Sequence, residues 1–412
     1  MAGGPEPRTI ARPRSLRRIV AAAAAVAVGS ALLALRTLPA GAVDADTPAA
    51  VVALGELIFH DASLSASGGL ACSTCHDPAH AHAQSNALAV QFGGAKRDVP
   101  GFRAVPSLNY LSLTPKFGLD DEGTPSGGFN RDGRAPDLMT QAIRPLFAAH
   151  EMANATPAEL AARLAATPYA NEFRRVFGDT VFDDAEATLR AATFALMQYE
   201  RTDPDFRPFD SKYDYFLRGS LRLTDAELRG LELFNRADKG NCAACHPSGR
   251  GPNGEPPLFT DFTYDNLGVP RNAAIPANAD PAHMDMGLCG PDRTDLADRT
   301  DLCGAFKVPT LRNVATRKVF FHNGRFASLT DALRFYVRRD TNPAEFYPAD
   351  ADGTVRKFDD LPADFAGNVN TSEVPYERQL GEAPRLTDAE IANLEAFLNT
   401  LTDGYKPLEL RK

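Results

Sequence analysis

Cys-x-x-Cys-His occurs twice in this chain of 412 residues, as Cys72-Ser73-Thr74-Cys75-His76 and as Cys242-Ala243-Ala244-Cys245-His246. The pentapeptide is a covalent haem-attachment site: two thiols add across vinyl groups of the macrocycle, and the adjoining histidine becomes an axial ligand of its iron. Each copy obliges the fold to build an apolar cradle around a flat group larger than any side chain. A redox-active Cys-x-x-Cys would follow a strand in a βαβ pattern, and a zinc site would need further Cys/His pairs at matching spacing. Neither context is present. Four of the six cysteines are used in the two motifs, so two haems are expected.

The first 42 residues read as an export signal, with a basic start (Arg8, Arg12, Arg14, Arg17, Arg18), an apolar run from Ile19 to Leu35 and small residues Ala40-Gly41-Ala42 at the cleavage point. Cleavage near Ala42 would deliver the protein to the periplasm, where covalent haem attachment is at home, with no stable membrane insertion afterwards. A retained anchor is the rival reading, since the apolar run approaches the lower limit for a bilayer span. The whole chain has formal charge −9, and residues 1–42 carry six Arg and one Glu, so the remainder is near −14. That balance argues against nucleic acid and anionic membranes and for a partner with a basic face, or simply for a solvated acidic surface. The two leftover cysteines, Cys289 and Cys303, are expected to close a loop as a disulfide worth about 3 kcal/mol in the chain-entropy model.

About 370 residues beyond the signal suit two domains, and an internal repeat says where they lie. Gly55-Glu56-Leu57-Ile58-Phe59 precedes the first haem motif and Gly230-Leu231-Glu232-Leu233-Phe234 the second. Thr224-Asp225-Ala226-Glu227 and Thr387-Asp388-Ala389-Glu390 are capping boxes, each opening a helix. Ala185 to Tyr199 reads as a long helix, followed by a Pro-broken stretch that puts a boundary near residue 205. The expected class is mainly α, with two cytochrome c-like haem domains (43–205 and 206–412) and long loops, such as Pro247 to Pro281, that lack periodicity.

At this point the chain resembles a known family, the bacterial di-haem cytochrome c peroxidases and the related MauG proteins, over essentially all of its length after the signal. The markers are Leu64-Ser65 through Cys72 to Asp77-Pro78, Asp132-Gly133-Arg134, Gln141, Pro145 and Glu151-Met152. In the second half they are Phe306-Lys307-Val308-Pro309-Thr310-Leu311-Arg312-Asn313, Phe321-His322-Asn323-Gly324 and Phe335-Tyr336. The resemblance implies that the N-terminal haem meets hydrogen peroxide and the C-terminal haem passes or stores electrons. It assigns Glu151 as the distal acid/base and Gln141 as its companion amide; read without it, both are ordinary polar helix-surface residues. The family's resting-state histidine would fall near Val90-Gln91-Phe92-Gly93-Gly94, which has none. His80 and His82 read as surface or supporting groups, so the first haem is expected to be open. Fourteen residues after His322 stands Tyr336, where MauG proteins place a tyrosine ligand and other members a methionine. A phenolate stabilises oxidised iron and a thioether reduced iron. The bland alternative is a core aromatic; Met284 and Met286 are rival ligands that match no family position.

Two departures limit what carries over. The family's Trp-Asp-Gly-Arg reads Arg131-Asp132-Gly133-Arg134, and the chain has no tryptophan. Electrons would then tunnel directly or through tyrosines such as Tyr264 or Tyr199, which counts against the MauG task of completing a tryptophan-derived quinone. The family's calcium asparagine is replaced in Arg103-Ala104-Val105-Pro106, so calcium stays open and unsupported. The expected activity is a peroxidase-type oxidoreductase with two c-type haems, His76 and His246 as iron ligands, and Tyr336 closing the second haem. Its donor would be a small cytochrome c or copper protein, or a protein substrate. The alternatives are a di-haem electron-transfer protein without peroxidase turnover, which predicts two six-coordinate haems, and a haem-based sensor.

Overall fold

Thr224 and Thr387 do what their sequence contexts predict. Each hydroxyl accepts from the backbone N–H three residues on while Glu227 and Glu390 reach back to the cap, satisfying donors that a helix start leaves without partners. The helices they open, α8 (Asp225–Asn235) and α10 (Asp388–Asn399), pack against each other. In the computed structural model, which describes residues 47–407, the same arrangement occurs earlier in the chain. There α1 (Thr47–His60) packs against α6 (Ala185–Thr202). The export-signal reading concerns residues outside those described.

Both crossings rest on a glycine. A Cβ on Gly55 would overlap the carbonyl oxygen of Ala195 in α6, and one on Gly230 would overlap that of Asn393 in α10. The repeat seen in the sequence is thus a pair of close helix crossings, each just ahead of a haem motif. Further helices are α2 (Cys72–Cys75), α3 (Leu138–Phe147), α4 (Pro157–Ala165), α5 (Ala170–Phe177), α7 (Lys212–Leu217) and α9 (Leu329–Arg338). Among the described residues, strand is confined to three antiparallel pairs of two residues each, among them β1 (Phe92–Gly93) with β2 (Val99–Pro100). From Pro247 to Pro281 the backbone is largely irregular, as its composition predicts.

Two large apolar cores form on the two helix crossings. One gathers Leu54, Phe59, Phe173, Leu196 and Phe206, all nearly inaccessible; the other gathers Phe234, Phe259, Leu394 and Phe397. Burying such a side chain contributes about 1.5–3 kcal/mol, so each helix crossing has its own source of stability. Cys289 and Cys303 are disulfide-bonded, with Cα atoms 4.9 Å apart. Among the described residues no helix is long and apolar enough to cross a membrane.

Candidate functional site

The two motif histidines are oriented in the same way. His76 Nδ1 lies 3.1 Å from the carbonyl oxygen of His82 and His246 Nδ1 lies 2.7 Å from that of Phe259. Each acceptor is a carbonyl, so Nδ1 carries the proton and Nε2 is left to bind a metal, the arrangement a ligating histidine needs. Burial pushes His76 down to about 4 and lowers His246 too, which keeps both rings in the neutral, metal-binding form.

Cys72, Cys75, Cys242 and Cys245 are unbridged thiols. Burial pushes Cys72, Cys242 and Cys245 up to about 12 and Cys75 up to about 11. A redox-active pair has a lowered thiol, so the dithiol alternative does not fit. The motif side chains lie deep in the protein yet keep accessible surface, which means that they face internal space. At the second motif that space is a cavity of ≈ 320 Å³ whose wall includes Cys242, Cys245, His246 and Tyr336. Apolar walls with a free Nε2 and two thiols suit haem. Among the described residues no group of three or more His, Cys, Asp or Glu is arranged to hold a metal alone.

What faces each motif differs. Glu151 sits in the turn after α3 and lies within electrostatic reach of Cys72, Cys75 and His76. Its Oε1 is 3.4 Å from His150 Nε2, a neighbour that sequence reading missed although it adjoins the acid. The loop holding Glu151 is pinned by β1: Gly94 donates its N–H to the Glu151 carbonyl at 2.9 Å, and a Cβ on Gly93 would overlap the His150 carbonyl. No side chain fits at that point. Gln141 lies on α3, whose Pro145 has no N–H to offer the Gln141 carbonyl. Its side chain lines the cavity and makes no hydrogen bond to Glu151.

Tyr336, on α9, faces the same cavity as His246, its ring against Phe321 (5.6 Å) and Tyr376 (6.2 Å). Burial holds its phenol above the usual value, and its hydroxyl has no hydrogen-bond partner among the described residues. Met284 accepts from Arg271 and does not line the cavity. His82 is buried, stacked on Phe206 at 3.9 Å and held by Asn109 at 2.7 Å, while His80 is half-buried beside Asp77. Tyr199 packs between Phe59 and Phe206, and Tyr264 donates to the Gly127 carbonyl at 2.6 Å. The Ala104 and Val105 carbonyls accept from Arg131 and Arg317.

Comparison with known proteins agrees with this architecture. Residues 49–222 match the family model for di-haem cytochrome c peroxidase. The chain is 37% identical to the methylamine utilization protein MauG of Paracoccus denitrificans, over 91% of this chain and 95% of that one. It is 30% identical to the cytochrome c551 peroxidase of Nitrosomonas europaea, over 71% and 75% of the two. The fold is similar to the crystal structure of the diheme peroxidase BthA from Burkholderia thailandensis, with TM-score 0.79, 39% identity and 86% of each chain covered. A tyrosine-to-methionine variant of BthA is similar to the same degree, at TM-score 0.78.

Proposed function

The chain belongs to the di-haem cytochrome c peroxidase and MauG family, peroxidase-type oxidoreductases with two c-type haems, and on that premise we propose that hydrogen peroxide reacts at the His76 haem. Tyr336 would close the iron held by His246, and that second haem would supply a place to share the oxidising equivalents. The observation that carries this reading is the unlike surroundings of two like motifs: a carboxylate beside the first, a phenol facing the second.

When bound, the haems supply the iron centres that accept and pass electrons. Glu151 supplies proton transfer: its carboxylate takes a proton from one peroxide oxygen and returns it to the other, so that O–O cleavage releases water. His150, 3.4 Å away, orients that carboxylate, while Gln141, which lines the cavity at the second motif, takes no part in this step. His76 and His246 would hold the irons through Nε2, each ring braced at Nδ1 by a backbone carbonyl. The chain divides near residue 205 into a peroxide-reacting domain and an electron-transfer domain, each built on one helix crossing. Residues 1–42 direct export to the periplasm. The donor is a small cytochrome c or copper protein, or a protein to be oxidised, and the acidic remainder of the chain favours a basic docking face. Adding stoichiometric peroxide to the diferric protein should change its optical spectrum before any donor is present. An unchanged spectrum would rule out peroxide as the oxidant.

A further inference from the structure

Three cations that lie deep in the protein and line the cavity at the second motif, Arg131, Arg317 and Lys307, have no carboxylate partner among the described residues. Arg131 makes one side-chain hydrogen bond, from Nε to the Ala104 carbonyl at 3.0 Å. Arg317 makes one, to the Val105 carbonyl at 2.7 Å, and Lys307 donates to the Gly128 carbonyl. None of the three forms an ion pair among the described residues. The nearest acids are already committed: Asp285 accepts both arms of Arg103, and Asp132 is shared by Arg103 and Arg134.

Burial accordingly pushes Arg131 down to about 9, helped by the charges of Arg317 and Arg103, Arg317 down to about 10, and Lys307 down to about 8. A buried charge of one sign is retained only where an opposite charge completes it. His322 adds a polar atom without a hydrogen bond: it is 7% exposed and stacked on Phe306 at 3.8 Å, and its buried Nε2 has no hydrogen-bond partner, the Asp360 carboxylate lying 3.8 Å away.

All four residues line the cavity that holds Cys242, Cys245 and His246. Arg317 also acts electrostatically on His76, so this one cation of the group is within reach of both motifs. Each haem carries two propionate carboxylates, the anions that a family member brings into this space. We infer that Arg131, Arg317 and Lys307, with His322 Nε2, form a carboxylate-binding cradle that takes propionates from both haems and couples the two irons electrostatically. A fixed positive charge near an iron favours the state with one more electron, so the cradle raises both reduction potentials together. This holds whether or not peroxide is the oxidant.

The test is a spectroelectrochemical titration of both haems in holoprotein variants whose haem content is measured as pyridine haemochrome. Arg131→Gln and Arg317→Gln should lower both midpoints. Arg131→Lys and Arg317→Lys, which keep the charge, should hold them near wild type, as should Lys318→Gln at the exposed neighbour. A shift at one haem only, or at neither with both haems loaded, would overturn the cradle. Should the Gln variants lose haem, rescue by the Lys variants supports it, and loss in both series assigns these residues to packing and overturns it. Sodium acetate added at constant ionic strength should leave the midpoints unmoved. A saturable shift would assign the site to a free anion and not to propionate.

Discussion

The two haem-binding halves share a scaffold and differ in what they set opposite it. Each has a helix crossing closed on a glycine, a Cys-x-x-Cys-His just after it, and a histidine whose Nδ1 is tied to a carbonyl. Beyond that they part. The first motif has the carboxylate of Glu151 in reach and the second shares its cavity with Tyr336. Their buried acids differ as well. Glu200, next to the first motif on α6, is 6% exposed, has an Oε2 without a partner and is pushed up to about 8 by burial. Asp214 in the second half is also subject to burial, which raises it, but two 2.9 Å hydrogen bonds from Arg312 and that residue's charge win and hold it below the usual carboxylate range. The cradle for the macrocycle is common to both halves, and the specialisation lies in the side chains that face it.

The largest expected effect is on chemistry. Glu151→Gln should slow peroxide consumption in stopped-flow mixing by roughly 10²- to 10⁴-fold with both haems still attached; an unchanged rate would erase the functional contrast between the halves. Next comes Arg312→Ala, which strands Asp214 in the core and should cost about 3–5 kcal/mol in denaturant unfolding. The glycines sharpen the likeness: Gly55→Ala and Gly230→Ala should each cost about 1–3 kcal/mol by melting, and a silent substitution at either would mean that the crossings are not equivalent.

The smallest effect is in pH dependence, where the two buried acids pull in opposite directions. Glu200 has a raised folded value, so its contribution is full below its ordinary value of about 4.3 and is lost as pH rises through about 8. Asp214 has a lowered one, so its contribution is full above about 3.9 and is lost as pH falls through its folded value. Stability measured from about pH 2 to 9 should therefore decline at both ends, and Glu200→Gln should flatten the alkaline decline while leaving the acid limb alone.

Local signals made the scaffold legible. The capping boxes at Thr224 and Thr387, the helix from Ala185 and the haem motifs all depend on residues a few positions apart. The disulfide was legible by elimination among six cysteines. What escaped depends on contacts across the chain. Glu200 looks like any acid near a helix end until the fold buries it; His150 is the exception, a sequence neighbour of Glu151 whose ring comes 3.4 Å from that carboxylate. Arg131 is conspicuous in sequence as the residue standing where tryptophan was expected. Its meeting with Arg317 and Lys307 joins positions up to 186 residues apart, which no local pattern encodes.

The unequal pair of haems is tested most directly by electron paramagnetic resonance on the diferric protein, wild type and Tyr336→Phe. One high-spin and one low-spin signal are expected, with the low-spin signal alone altered by the substitution, if Tyr336 closes one iron and the other is left open, as proposed. Two low-spin signals, or a low-spin signal indifferent to the loss of the phenol, would contradict the account.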